Sequence, residues 1–207
     1  MKNIHEGKYP NMDEAVAFRV AFAPVICSYG SVGWDEIERC SCTTCGMYTQ
    51  FSDFLAPKTA CQKKDGAILD TYHYGVSIAI REELMRRFDI VEQDFRPVRN
   101  KVGDIVFYQL TPRHIMKPIA EVNRFRKLLP CRRCGSIQYR EKEYTNKGGY
   151  PYRFITEEAL ADLCDLNRTF EEFEMHLPSW VVSKRVYEFF SEHYPRLQFQ
   201  PMFLKNK

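Results

Sequence analysis

Cys42-Thr43-Thr44-Cys45-Gly46 and Cys131-Arg132-Arg133-Cys134-Gly135 repeat one pattern, Cys-x-x-Cys-Gly. Two residues between cysteines allow a tight turn that aims both sulfurs at one tetrahedral ion. The trailing glycine takes φ > 0 without a Cβ clash, so the turn can bring backbone N–H groups back towards the thiolates. One such knuckle supplies half a tetrahedron, and a structural zinc takes four ligands. The pair therefore predicts one structural zinc per chain, held by Cys42, Cys45, Cys131 and Cys134, although 85 residues lie between Cys45 and Cys131. The competing readings are two reduced, unliganded turns or two redox pairs.

The other four cysteines are Cys27, Cys40, Cys61 and Cys164. Cys40, in Cys40-Ser41-Cys42, is an alternative ligand or a bystander, and the other three read as small buried apolar residues. Thiols in knuckle spacing suit a cytosolic metal protein better than a disulfide framework. The start, Met1-Lys2-Asn3-Ile4-His5-Glu6, turns polar at once and has no signal-peptide core. No apolar run approaches the ~20 residues that span a bilayer. A cytoplasmic location is the expectation.

Outward from the knuckles, the chain reads as mixed α and β. With 44% hydrophobic residues, 12 Tyr and 15 Phe, its 207 residues can build a packed core rather than a disordered chain. Val16, Phe18, Val20 and Phe22 alternate with Ala17, Arg19 and Ala21, the period of a half-buried strand that Pro24 interrupts. Residues 28–38 around Trp34 and residues 51–70 read as loops. Ile80, Leu84, Met85 and Phe88 mark one face of an amphipathic helix. Ile105 to Leu110 is a strand that ends at Pro112. Asn146-Lys147-Gly148-Gly149 is a hairpin-type turn between strands. Thr156 caps a helix whose buried stripe is Leu160, Leu163 and Cys164, and Ser183 caps another that turns Val186, Tyr187, Phe189 and Phe190 inward. Leu197 and Phe199 begin a closing strand, which Pro201 should place at an edge.

The simplest architecture is a single α+β domain over 1–207, a mixed or antiparallel sheet with a few helices clasped by a zinc-ribbon-like four-cysteine site. Its knuckles lie at 40–46 and 131–135, with 51–127 inserted between them and 152–207 as an α/β tail.

Four thiolates make a closed site, whereas a catalytic zinc keeps an open position for water. The five histidines (His5, His73, His114, His176, His193) show no metalloprotease or deaminase spacing, and no nucleophile elbow or P-loop is present. A non-catalytic protein is the expectation. Two charged stretches remain. Arg124 to Lys142 holds seven Lys or Arg against Glu141, read either as cations that favour nearby thiolates or as a phosphate-contacting face. Glu157 to Glu174 holds seven acids against Arg168. It is read as a solvated helix face and loop, or as a negative patch for a basic protein partner built on Asp162, Asp165, Glu171, Glu172 and Glu174.

On its two Cys-x-x-Cys-Gly knuckles, their wide separation and the layout of Leu177-Pro178-Ser179-Trp180-Val181-Val182-Ser183 before a helix, the chain resembles the bacterial double-CXXCG motif proteins, described chiefly from myxobacteria. That resemblance covers the four cysteines and their glycines. It implies an immunity protein that binds and neutralises a cognate toxin delivered between related cells. The alternative is a zinc-ribbon nucleic-acid-binding or regulatory protein using Arg124, Arg126, Lys127, Arg132 and Arg133, although a net charge of +3 is small for that role.

Overall fold

A computed structural model describes residues 12–22, 38–39, 41–47, 68–69, 74–99, 102–141, 154–173, 178–194 and 197–205. Trp34, the turn at 146–149, Cys27, Cys40 and Cys61 lie outside them. In chain order the elements are β1 (Ala17–Phe22), β2 (Ile68–Leu69), β3 (Tyr74–Val76), α1 (Ile78–Arg87), β4 (Phe95–Arg99), β5 (Ile105–Leu110), β6 (Phe125–Lys127), β7 (Gln138–Glu141), β8 (Phe154–Ile155), α2 (Glu157–Ala161), β9 (Leu166–Phe173), β10 (Pro178–Ser183), α3 (Lys184–His193) and β11 (Gln198–Leu204). Where the sequence suggests one domain, the Cα trace divides into two compact units. The first takes residues 1–21, 113–130 and 137–207, and the second takes 22–112 and 131–136.

The first unit is built on a seven-stranded sheet in the order β6-β7-β9-β10-β1-β11-β8. It is mixed: β7 runs parallel to β9 and β8 parallel to β11, while β9, β10 and β1 are antiparallel neighbours. β1 lies between β10 and β11, so Ala17 and Phe18 are both fully buried instead of alternating between core and solvent. Strand alternation sends Phe18 to one face, where its ring stacks 3.7 Å from that of Tyr187 on α3. Ala17 goes to the other face, in a cluster with Met116, Ile119, Phe125, Tyr139, Ile155, Val181 and Met202. Both expected caps form: Ala159 N–H donates to Thr156 Oγ1 at 3.1 Å, and Val186 N–H to Ser183 Oγ at 3.4 Å.

Two local expectations are corrected. α2 has five residues and buries Ala159, so Leu163 and Cys164 fall beyond it and are half-buried. Pro201 sits on a strand that has neighbours on both sides. Met202 C=O accepts from Val16 N–H at 2.9 Å, so alternation turns Pro201 towards the β8 side, where pairing begins only at Phe203. The missing proline N–H therefore costs no ladder bond there.

The second unit has an antiparallel sheet, β2-β3-β5-β4, with α1 packed on β5. Ser77 Oγ accepts from Ile80 N–H at 3.2 Å and starts α1, which buries Ile80 and Leu84. Arg81 leaves α1 to lie over the Tyr108 ring at 4.5 Å and the Phe95 ring at 5.4 Å, a placement that adds cation–π attraction to apolar packing.

Candidate metal centre

Both knuckles close in the same way. In the first, Gly46 N–H donates to Cys42 C=O at 2.7 Å and Cys42 N–H to Met47 C=O at 2.7 Å. In the second, Gly135 N–H donates to Cys131 C=O at 2.9 Å and Cys131 N–H to Ser136 C=O at 3.0 Å. Gly46 and Gly135 take φ of 73° and 76°. An added Cβ at Gly135 would meet nothing within 4 Å, so the backbone conformation, not crowding, asks for glycine. In the chain the second knuckle falls between β6 and β7, which pair antiparallel: Lys127 pairs with Tyr139, and Leu128 N–H donates to Gln138 C=O at 2.9 Å.

The second unit contains both knuckles, and the chain brings their sulfurs together. Cys42 Sγ lies 3.9 Å from Cys131 Sγ, and Cys45 Sγ lies 3.6 Å from Cys134 Sγ. All four sulfurs lie within 4.8 Å of one another. A tetrahedron with Zn–S bonds of about 2.3 Å has S···S edges of about 3.8 Å, so the spacing is compatible with a zinc site. Cys42 is buried, the other three are half-buried, and Met47 is fully buried next to the first knuckle. The four thiols can hold one metal ion.

The sulfurs are electrostatically unequal. Backbone N–H groups of Thr44 and Cys45 aim at Cys42 and bring its pKa down to about 6, against the opposing effect of burial. Those of Cys134 and Arg133 lower that of Cys131. Burial pushes Cys45 up to about 12. Main-chain amides favour the thiolate at Cys42 and Cys131, and a cation in the cluster would supply what Cys45 needs. The largest lowering effects come from main-chain amides, while the Arg132 and Arg133 side chains point out as exposed groups. Cys134 is also within 3.3 Å of Ser136 Oγ, a contact that neither knuckle pattern announces.

The acidic run does not form one surface. Asp165 is 4% exposed and accepts from Ser183 Oγ at 2.6 Å and from Arg185 Nε at 2.7 Å, with a second bond from Arg185 Nη2. Glu171 is fully buried, and its Oε1 accepts from the N–H groups of Ile119 and Ala120, both at 2.6 Å. It caps the helical turn that Asn123 N–H closes onto Ile119 C=O at 3.3 Å. These two residues are therefore internal anchors and leave the expected docking patch, because the run continues into β9 and alternation turns Glu171 inward. Asp162 is half-buried, 3.4 Å from His114 Nε2. Glu174 and the side chain of Glu172 lie outside the described residues.

Among the described residues no histidine joins the cysteine cluster, and no helix is long and apolar enough to cross a membrane. Comparison with family models, with curated proteins and with solved structures returns no match.

Proposed function

We propose that the chain is a zinc-stabilised, non-catalytic binding protein of the cytoplasm, and that its partner is a cognate bacterial toxin which it neutralises as an immunity protein. The observation that carries the first half is the set of four sulfurs within 4.8 Å of one another, drawn from two knuckles of matching geometry. Four thiolates fill a zinc tetrahedron and leave no position for a substrate or water, which suits a structural ion. Such an ion contributes on the order of 10 kcal/mol in small zinc-binding peptides, comparable to the whole net stability of a domain. The neutralising role is supported by the resemblance of the two Cys-x-x-Cys-Gly knuckles to the double-CXXCG proteins.

Native mass spectrometry of the protein purified gently from its own cells tests both halves together. The expected spectrum shows one zinc per chain and a stoichiometric protein companion. Iron in place of zinc would replace the structural ion with a redox centre. Zinc without a companion, or with bound nucleic acid, would overturn the neutralising role.

A further inference from the structure

The cations of the β6 segment are unmatched. Arg124, Arg126 and Lys127 are exposed and, among the described residues, make no ion pair or side-chain hydrogen bond. By contrast, Arg86 and Arg87 both bind Glu83, Arg81 binds Glu92 and Arg185 binds Asp165, while exposed Lys117, Arg132 and Arg133 resemble the β6 cations in making no ion pair among the described residues. Unit-one residues 113–130 hold five cations and a single acid, Glu121. Leu129, two residues past β6, is 91% exposed.

β6 is the end strand of its sheet, with β7 as its neighbour on one side and no strand on the other among the described residues. Leu128 N–H points at β7, donating to Gln138 C=O at 2.9 Å. Alternation therefore turns the N–H and C=O of Lys127 to the outer edge. Arg124 adds a third observation. It ends the turn that Glu171 caps, with Phe125 N–H donating to Ala120 C=O at 2.9 Å and Arg124 N–H to Glu121 C=O at 3.0 Å. That is the Schellman pattern, whose left-handed position is usually glycine. Arg124 occupies it at φ 56°. A bulky cation is thus held in a strained position where glycine would be relaxed, as at sites whose side chain has a role.

We infer that the outer edge of β6, with Arg124, Arg126, Lys127 and Leu129, is a docking edge for an extended acidic segment of a partner protein. This rests on the protein-binding reading above and gives that partner its charge. Short charged edge strands discourage stray pairing. The same charges admit a segment of opposite sign, whose main chain can then extend the sheet. A protein suits the surface better than a nucleic-acid backbone. Leu129 offers apolar area that phosphates cannot cover, and Phe125 and Tyr139, the aromatic rings of this hairpin that base stacking would need, are each 8% exposed.

The test uses the full zinc-loaded chain and a labelled twelve-residue peptide of Glu and Val in equal numbers. Its controls are an analogue with N-methylated amides, polyglutamate of the same charge, and a short DNA duplex. Expected are saturable binding of the Glu/Val peptide, at least tenfold weaker binding of the N-methylated analogue, and at least tenfold loss in Arg126→Glu/Lys127→Glu. Leu129→Ser should weaken the Glu/Val peptide several-fold and leave polyglutamate unchanged. Arg124→Gly should weaken the peptide while raising the melting temperature, which separates docking from damage to the fold. Equal binding of the N-methylated analogue, or no loss in the double variant, overturns the docking edge. Tighter binding of the duplex with a steep salt dependence assigns the edge to nucleic acid and overturns it too. A native companion retained by Arg126→Glu/Lys127→Glu would defeat this edge alone; absence of any companion from the unmodified protein would defeat the protein-binding reading itself.

Discussion

The cysteine cluster of the second unit and the buried acids of the first, Asp165 and Glu171, hold inward-facing groups by different means, although Asp94 in the second unit also accepts from a backbone N–H, that of Val91. In the second, four sulfurs crowd within 4.8 Å of one another, and main-chain amides favour ionisation at Cys42 and Cys131 while burial opposes it at Cys45. That arrangement is incomplete without a cation. In the first unit the buried acids draw donors from the chain itself: Arg185 and Ser183 for Asp165, and two backbone N–H groups for Oε1 of Glu171, whose Oε2 has no hydrogen-bond partner among the described residues. Stability should therefore depend on something added from outside at the thiolates and not at the carboxylates. Chelation should affect the thiolates and leave the carboxylates indifferent.

The largest expected effect is loss of the metal. Cys42→Ser or Cys131→Ser should give insoluble or protease-sensitive protein, since the interaction removed is on the order of 10 kcal/mol. Soluble variants with unchanged melting would break the contrast from the metal side. From the carboxylate side, Glu171→Ala should cost about 2–3 kcal/mol in urea unfolding, because the N–H groups of Ile119 and Ala120 are left without an acceptor.

Glu171→Gln probes the buried carboxyl through pH. Burial raises the Glu171 pKa despite the two N–H donors. A native carboxyl with a raised pKa contributes fully below the unfolded glutamate pKa of about 4.3, and loses that contribution as pH rises through its native value. The stability of the native protein relative to Glu171→Gln should therefore fall as pH rises from about 4 towards neutrality. A flat difference would show that Glu171 titrates as it does in the unfolded chain.

Smaller effects follow at the edges of each arrangement. Asp165→Asn should cost about 1–2 kcal/mol by urea unfolding, a moderate value because Arg185 is 59% exposed and solvent screens its half of the pair. Gly135→Ala should cost about 1 kcal/mol, since a Cβ must adopt a left-handed conformation but meets nothing within 4 Å. Metal content should stay intact in Gly135→Ala, and a loss of metal there would make the glycine part of ligand placement.

What the sequence made legible was what local geometry decides. Cys-x-x-Cys-Gly fixes a turn within five residues, Thr156 and Ser183 cap helices within the next turn, and Ile105 to Leu110 ends where Pro112 requires. The meeting of distant knuckles was legible as well, because each supplies half of a four-ligand set. The acidic run was not, because its described residues are spread over a short helix, the connection after it and a strand, and the side a strand residue faces is settled by its neighbours in the sheet. Asp165 and Glu171 look like the other acids of the run until Arg185, Ile119 and Ala120 are brought to them. Pro201 misleads for the same reason: its strand has neighbours on both sides, yet it stands where one side is not yet paired.

The proposed function rests on four thiolates closing around one zinc. X-ray absorption at the zinc edge, on protein purified from its own cells, addresses it most directly. The expected result is one zinc per chain surrounded by four sulfurs at about 2.3 Å. A shell containing nitrogen or oxygen would mean an open or mixed site, and absence of zinc would contradict the claim outright.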